Sequence, residues 1–124
     1  MLTLAPMRDK TQAEKIFKEK GFVFTEFSNC VTATCGEECL GLSLYELDNK
    51  KIIVHYIEPL SDIPLAEGIL RSTLHVAAEK SIMNAFYDEG LPEEFLEKIN
   101  FIKSKNDKSL NIDKLFESCC NCGK

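Results

Sequence analysis

The stretch IIVHYIEPLSDIPLAEGILRSTLHVAAEKSIMNAFYD, residues 52–88, decides the fold. With the lysine before it, KIIVHYIE over Lys51–Glu58 is apolar on both faces. A strand carries that pattern when both of its sides are covered, so this segment is expected to be the central strand of a sheet. The chain then turns between Pro59 and Pro64, and a helix is expected from about Leu65 to Lys80. Ser61 or Asp62 can cap it, and Pro64 suits its first turn. Leu65, Ala66, Ile69, Leu70, Leu74, Val76, Ala77 and Ala78 cover much of its circumference, the mark of a heavily buried helix. Ile82–Tyr87 reads as a second buried strand.

Upstream, Ala13, Ile16, Phe17 and Lys20 follow helical spacing, predicting a helix over Asp9–Lys20 that Gly21 stops. Phe22–Phe27 alternates as a strand does, Cys30–Cys35 is rich in β-branched residues, and Gly36-Glu37-Glu38 makes a turn. Leu40, Leu42, Leu44 and Leu47 form the next strand. Asp48-Asn49-Lys50 is turn chemistry, so a hairpin joins that strand to the central one. Downstream, Pro92 opens a short helix through Ile99, and Phe101–Lys103 is a strand. Lys105–Lys108 is loop-like, and Ile112–Cys119 is a last helical piece.

Hairpins early and helical crossovers late give an α/β domain whose mixed, mostly antiparallel sheet carries helices on both faces. Residues 1–104 are expected to form that single domain, and 105–124 a C-terminal helix with a cysteine-rich tail. With 124 residues, 44% of them hydrophobic, the chain can bury a core without staples. Its net charge of −5 and the lack of a basic stripe argue against nucleic-acid binding. No apolar run reaches the roughly 18–20 residues of a membrane span, and MLTLAPMRDK lacks the plan of a secretory signal. A cytoplasmic protein with reduced thiols is expected.

The segment Lys51–Phe101 resembles the acetyl-CoA-dependent N-acetyltransferase (GNAT) superfamily. The likeness rests on IIVHYIEPL, then IPLAEGILRSTLHVAAEKSI, MNAFYD and EEFLEKINF, about half the chain. It implies a sheet split near the central strand and acetyl-CoA as the acyl donor to a small-molecule or peptide amine. The family's diphosphate-binding pattern is Arg or Gln, two residues, Gly, one residue, Gly or Ala. Here it falls on Leu65-Ala66-Glu67-Gly68-Ile69-Leu70, where only Gly68 matches. The resemblance therefore implies cofactor contacts from the backbone near Ile57 and from Gly68 and Ile69, with Arg71 reaching a phosphate. It also implies that Glu58 activates the amine directly or through water. The tyrosine that protonates the departing thiolate in many members is replaced by Phe95, leaving Tyr87 as the substitute donor. The glycine before the closing Phe is Asn100, and the usual final strand is expected to be missing or displaced.

Each residue also has a plainer role. Glu58 can be a solvated strand end, His55 either a packed histidine with one bonded nitrogen or a base facing a cleft, and His75 part of the core or helix surface. Arg71 can pair with Glu67 at helical spacing. In the tail, Cys119, Cys120 and Cys122 are soft ligands that suit zinc, with Cys35 and Cys39 as a second pair; Cys119 and Cys122 also have Cys-x-x-Cys redox spacing. A frayed terminus with reduced thiols is the bland alternative. Three functions follow: a divergent acetyltransferase-like protein, a non-catalytic acyl-CoA-binding or interaction module, and a metal or thiol-redox protein. The first helix and Phe22–Phe27 are expected to form either an acceptor wall or a homodimer surface.

Overall fold

The computed structural model describes residues 2–115. KIIVHYIE forms β4 (Ile52–Glu58), the fourth strand of seven, flanked by β3 (Glu38–Leu47) and β5 (Ala85–Tyr87). The remaining strands are β1 (Leu2–Pro6), β2 (Ser28–Cys35), β6 (Ile102–Ser104) and β7 (Ser109–Leu110), in the spatial order β1-β2-β3-β4-β5-β7-β6. The β4–β5 pair is parallel and every other pair antiparallel. The expected mixed α/β sheet is what the chain forms.

Helices cover both faces. Helix α1 (Lys10–Lys20) is capped by the Asp9 side chain and stopped by Gly21 at φ 82°. It buries Ala13 and Phe17 against Cys30, Leu42 and Leu44. Helix α2 (Ile63–Ala78) lies on the other face, where Ala66, Ile69, Leu70, Leu74 and Ala77 meet Val31, Tyr45, Val54 and Ile57. The short α3 (Glu93–Lys98) adds Phe95 and Leu96 to that same core. A buried hydroxyl pair, Ser43 and Thr73 at 2.6 Å, ties β3 to α2, and Thr73 also donates to the Ile69 carbonyl.

Three expectations need correction. Phe22–Phe27 is not a strand: Ser28 Oγ accepts from the Thr25 N–H at 2.9 Å and Thr25 Oγ1 from the Phe27 N–H at 3.2 Å. Such local side-chain bonds bend the backbone into a turn, and Phe22 and Phe24 still pack beneath α1. The final strand is not missing, because β7 inserts between β5 and β6. The sheet therefore runs past residue 104, and Leu110, Ile112 and Leu115 sit in the α2-side core. Residues 2–6, expected only to lack a signal sequence, pair with β2 from Leu2↔Cys35 to Pro6↔Val31. Of the expected last helix, only Ile112–Leu115 falls within the described residues.

Candidate functional site

The site grows from an irregularity in β4. Leu44 pairs with Tyr56 but Tyr45 with Val54, so His55 is an extra residue that bulges the strand against β3. A bulge bends its strand and sharpens its twist. On the other side, β4 pairs with β5 only from Ile52↔Ala85 to Val54↔Tyr87. β5 ends at Tyr87, opposite Val54, and His55–Glu58 runs on with no strand paired on that side among the described residues, a gap where the split at the central strand is expected.

Two clusters occupy the α1 side of that split. Glu58 accepts from Lys20 Nζ and from the Tyr56 hydroxyl, each at 2.7 Å, and the Lys20 ammonium lies 5.7 Å from the Tyr56 ring centroid. The Lys20 hydrogen bond, aided by Tyr56, holds the Glu58 carboxyl below its usual range, against the opposing push of burial. Glu58 in turn raises the Lys20 ammonium. The second cluster centres on His55, 13% exposed, with Nε2 2.9 Å from Glu46 and Nδ1 in contact with Asp88. Each ring nitrogen of this histidine therefore faces a carboxylate, in place of the single bonded nitrogen expected. Asp88 also accepts from the Gly90 N–H at 3.1 Å. A Cβ on Gly90 would stand 2.2 Å from the His55 carbonyl and 2.9 Å from Phe22 Cζ. The loop after β5 is thereby cinched against the bulge and closes the inner end of the split.

Tyr87 lies elsewhere. Its hydroxyl donates to Glu93 at 2.7 Å, and burial, reinforced by Glu93, pushes it up to about 12. Tyr87 belongs to the α2-side core, whereas Glu58 meets α1. By register it stands opposite Val54, four residues short of Glu58, roughly 13 Å along a strand rising about 3.3 Å per residue. The structure does not bring these two residues together.

The coenzyme contacts are also distributed differently from the family pattern. Gly68 is inside α2, past its first turn, and a Cβ there would meet only Leu4 Cδ1, at 3.7 Å. It thus faces β1 and forms no turn. Ile57 and Ile69 are buried in the core, which leaves only their backbones as contacts. Arg71 is held by Glu67 at 3.0 Å and lies over the Phe101 ring at 5.1 Å. At the α2 N-terminus, Asp62 accepts the Leu65 N–H at 3.2 Å, and Pro64 has no N–H. A free helix N-terminus attracts anions; this one is half used and carries a carboxylate, so it fits a diphosphate poorly.

His75 is exposed and pairs with Glu79 at 2.8 Å. Cys30 is buried, and burial pushes its thiol up to about 12. Cys35 and Cys39 are exposed at the β2–β3 hairpin. No cluster of three metal-ligating side chains exists among the described residues. Cys119, Cys120 and Cys122 lie outside them, and with them the expected zinc or redox site. No described helix is long and apolar enough to cross a membrane. Sequence reasoning missed Lys20, Tyr56, Glu46 and Asp88, whose roles arise from pairing across the sheet; the alternation of Tyr56 with Glu58 was the one local signal.

Neither a family model nor a curated protein matches the sequence. Solved structures match in shape. A protein from Desulfovibrio desulfuricans assigned to the GNAT acetyltransferase family aligns with a TM-score of 0.56 at 12% identity, over 80% of this chain and 83% of that one. A mutant AtaT toxin, bound to the C-terminus of the antitoxin AtaR, aligns with a TM-score of 0.55 at 10% identity, over 93% and 94% of the two chains. With its strand order, its bulged β4 and the end of the β4–β5 pairing at Val54, the chain has a GNAT-like fold.

Proposed function

We propose that this chain binds an acyl thioester, acetyl-CoA foremost, along the open edge of β4 and passes the acyl group to an amine held at Glu58. The observation that carries this reading is the ammonium already there: Lys20 Nζ rests on the Glu58 carboxylate and beside the Tyr56 ring. A carboxylate flanked by an aromatic face recognises an alkylammonium, so Lys20 occupies the place of an acceptor amine. An incoming amine displaces Lys20, keeps its ion pair with Glu58, and loses a proton to that carboxylate or to water before attacking the thioester carbonyl. Holding the two reactants together supplies most of the rate. Tyr87, at the end of β5 with its hydroxyl on Glu93, is the proposed proton source for the thiolate. Backbone groups near Ile57, with Arg71 on α2, make the proposed coenzyme wall, and Gly68 and Ile69, inside the helix, leave it without a diphosphate turn.

A second reading, a non-catalytic acyl-CoA-binding or protein-interaction module, is favoured by Phe95. That residue is 4% exposed in the core and has no hydroxyl where the family places its acid. Calorimetric titration of the chain with acetyl-CoA, followed by mass analysis of an added amine, tests both. Binding at about millimolar or tighter with amine acetylation supports the first reading, and binding without transfer the second. No heat and no thermal shift removes both.

Asp62→Asn bears on the same question. Asn caps a helix about as well as Asp, so the melting temperature is expected to stay within about 2 °C. Removing the charge at the helix N-terminus should tighten acetyl-CoA binding several-fold. Unchanged affinity would place the diphosphate away from α2.

A further inference from the structure

At the pole of the sheet opposite Glu58, β1, the ends of β2 and β3 and the last turns of α2 line an open cavity of about 840 Å³. That volume falls in the range of small-molecule sites, roughly 300–1,000 Å³. Register fixes its place: Tyr45 and Leu47 line it and pair with Val54 and Ile52, at the start of β4, whereas Glu58 ends that strand. It shares no residue with the proposed acyl-transfer site.

Its floor is polar. Tyr45 is 3% exposed, and burial pushes its hydroxyl up to about 12 against a smaller pull from the Asn29 amide, so it stays a neutral hydroxyl. Asn29 donates from Nδ2 to the Met7 carbonyl at 3.0 Å. Its Oδ1 is the one buried side-chain oxygen or nitrogen without a hydrogen-bond partner among the described residues. An orphan acceptor of this kind calls for an explanation, and a missing donor is the simplest. The walls are apolar, from Leu4, Leu47 and Val76. At the rim, Arg8 and Lys80 are exposed and make no ion pair among the described residues, while Glu79 is taken by His75. Three cations, Arg8, Lys10 and Lys80, face two carboxylates, Glu26 and Glu79, leaving one positive charge in a chain whose net charge is −5.

We propose that this cavity binds a small organic monoanion, an apolar ring-sized body with a carboxylate at one end and a hydrogen-bond donor at the other. The carboxylate meets Arg8, whose planar fork matches its two oxygens, with Lys80 beside it. The body lies on Leu4, Leu47 and Val76, and the donor meets Asn29 Oδ1 when that amide, closed off from the cavity in the free chain, turns toward it. A single surplus positive charge matches one carboxylate better than a doubly charged phosphate, and the apolar walls give a bare inorganic anion nothing to bury.

The test is a titration of the isotope-labelled chain followed through its amide NMR spectrum. The probes are indoleacetate, indoleacetamide, which lacks the charge, and naphthylacetate, which lacks the N–H. Indoleacetate is expected to shift the Met7, Asn29 and Val76 amides, including the Asn29 side chain. The acetamide should bind about ten-fold more weakly and the naphthyl acid about three-fold more weakly. Arg8→Gln, at an exposed position, should weaken indoleacetate about ten-fold with the melting temperature unchanged. No shifts at about 10 mM probe, equal binding of all three compounds, or shifts centred on other residues would overturn the proposal. So would the same shifts on concentrating the protein alone, because a second copy would then fill the cavity.

Discussion

Glu58→Gln is expected to lower the proposed acyl transfer to an amine by about 100-fold, the usual size of a lost proton acceptor, while leaving the proposed acetyl-CoA binding nearly unchanged. Gln keeps the shape and can still accept from Tyr56, but it neither holds an ammonium nor takes its proton. Lys20→Met is expected to act in the opposite direction. It removes the side chain that competes with the acceptor and the largest cause of the depressed Glu58 carboxyl, which should then titrate at higher pH. A rise in amine affinity, read as a lower KM, would accompany it. The fold should tolerate the change, since Lys20 and Glu58 are each about one-third exposed (31% and 35%) and such pairs contribute little. The sign with pH follows from the lowered carboxyl: the pair's contribution is present above the ordinary carboxylate range and is lost as pH falls through the depressed value. Activity unaffected by Glu58→Gln would remove Glu58 from the chemistry. An unchanged Glu58 titration in Lys20→Met would show that the ion pair does not hold it.

Gly90→Ala is expected to cost about 3 kcal/mol, the upper part of the range for overpacking, and to lower the melting temperature by about 10 °C. The added Cβ would stand 2.2 Å from a backbone carbonyl, that of His55, and 2.9 Å from Phe22. Phe22 can swing aside, but the carbonyl belongs to the central strand and cannot. The loop must therefore lift, pulling Asp88 from His55 and leaving the ring with Glu46 alone. The His55 ring resonances should shift along with the loss of stability. A melting temperature within about 2 °C of the parent would mean that the loop is not seated against the bulge. The same variant tests whether this loop limits access to the split: if it does, residual folded protein binds acetyl-CoA more tightly than the parent.

Much of this fold was legible locally. An apolar run with no polar face marked β4, and helical spacing after a Pro-containing turn marked α2, because each pattern is imposed by the element's own geometry. Asp48-Asn49-Lys50 and Gly36 marked the hairpins for the same reason. The strands β1 and β7, only 5 and 2 residues long, carry too little pattern to stand out and exist through pairing with β2 and with β5 and β6. Phe22–Phe27 misled because burying two aromatic rings under α1 produces the same alternation as a strand.

At the candidate site, sequence by itself determined that Glu58 ends the central strand and that the diphosphate pattern keeps one residue in three, both matters of order along the chain. Only the tertiary structure decided what Glu58 holds. Lys20, at the end of the helix on the same face, reaches it, and His55 is pinned by Glu46 from one neighbouring strand and Asp88 from beyond the other. Those partners lie 9 to 38 residues away in sequence, and charge pairing at such range depends on the distances that folding creates, which no local period encodes.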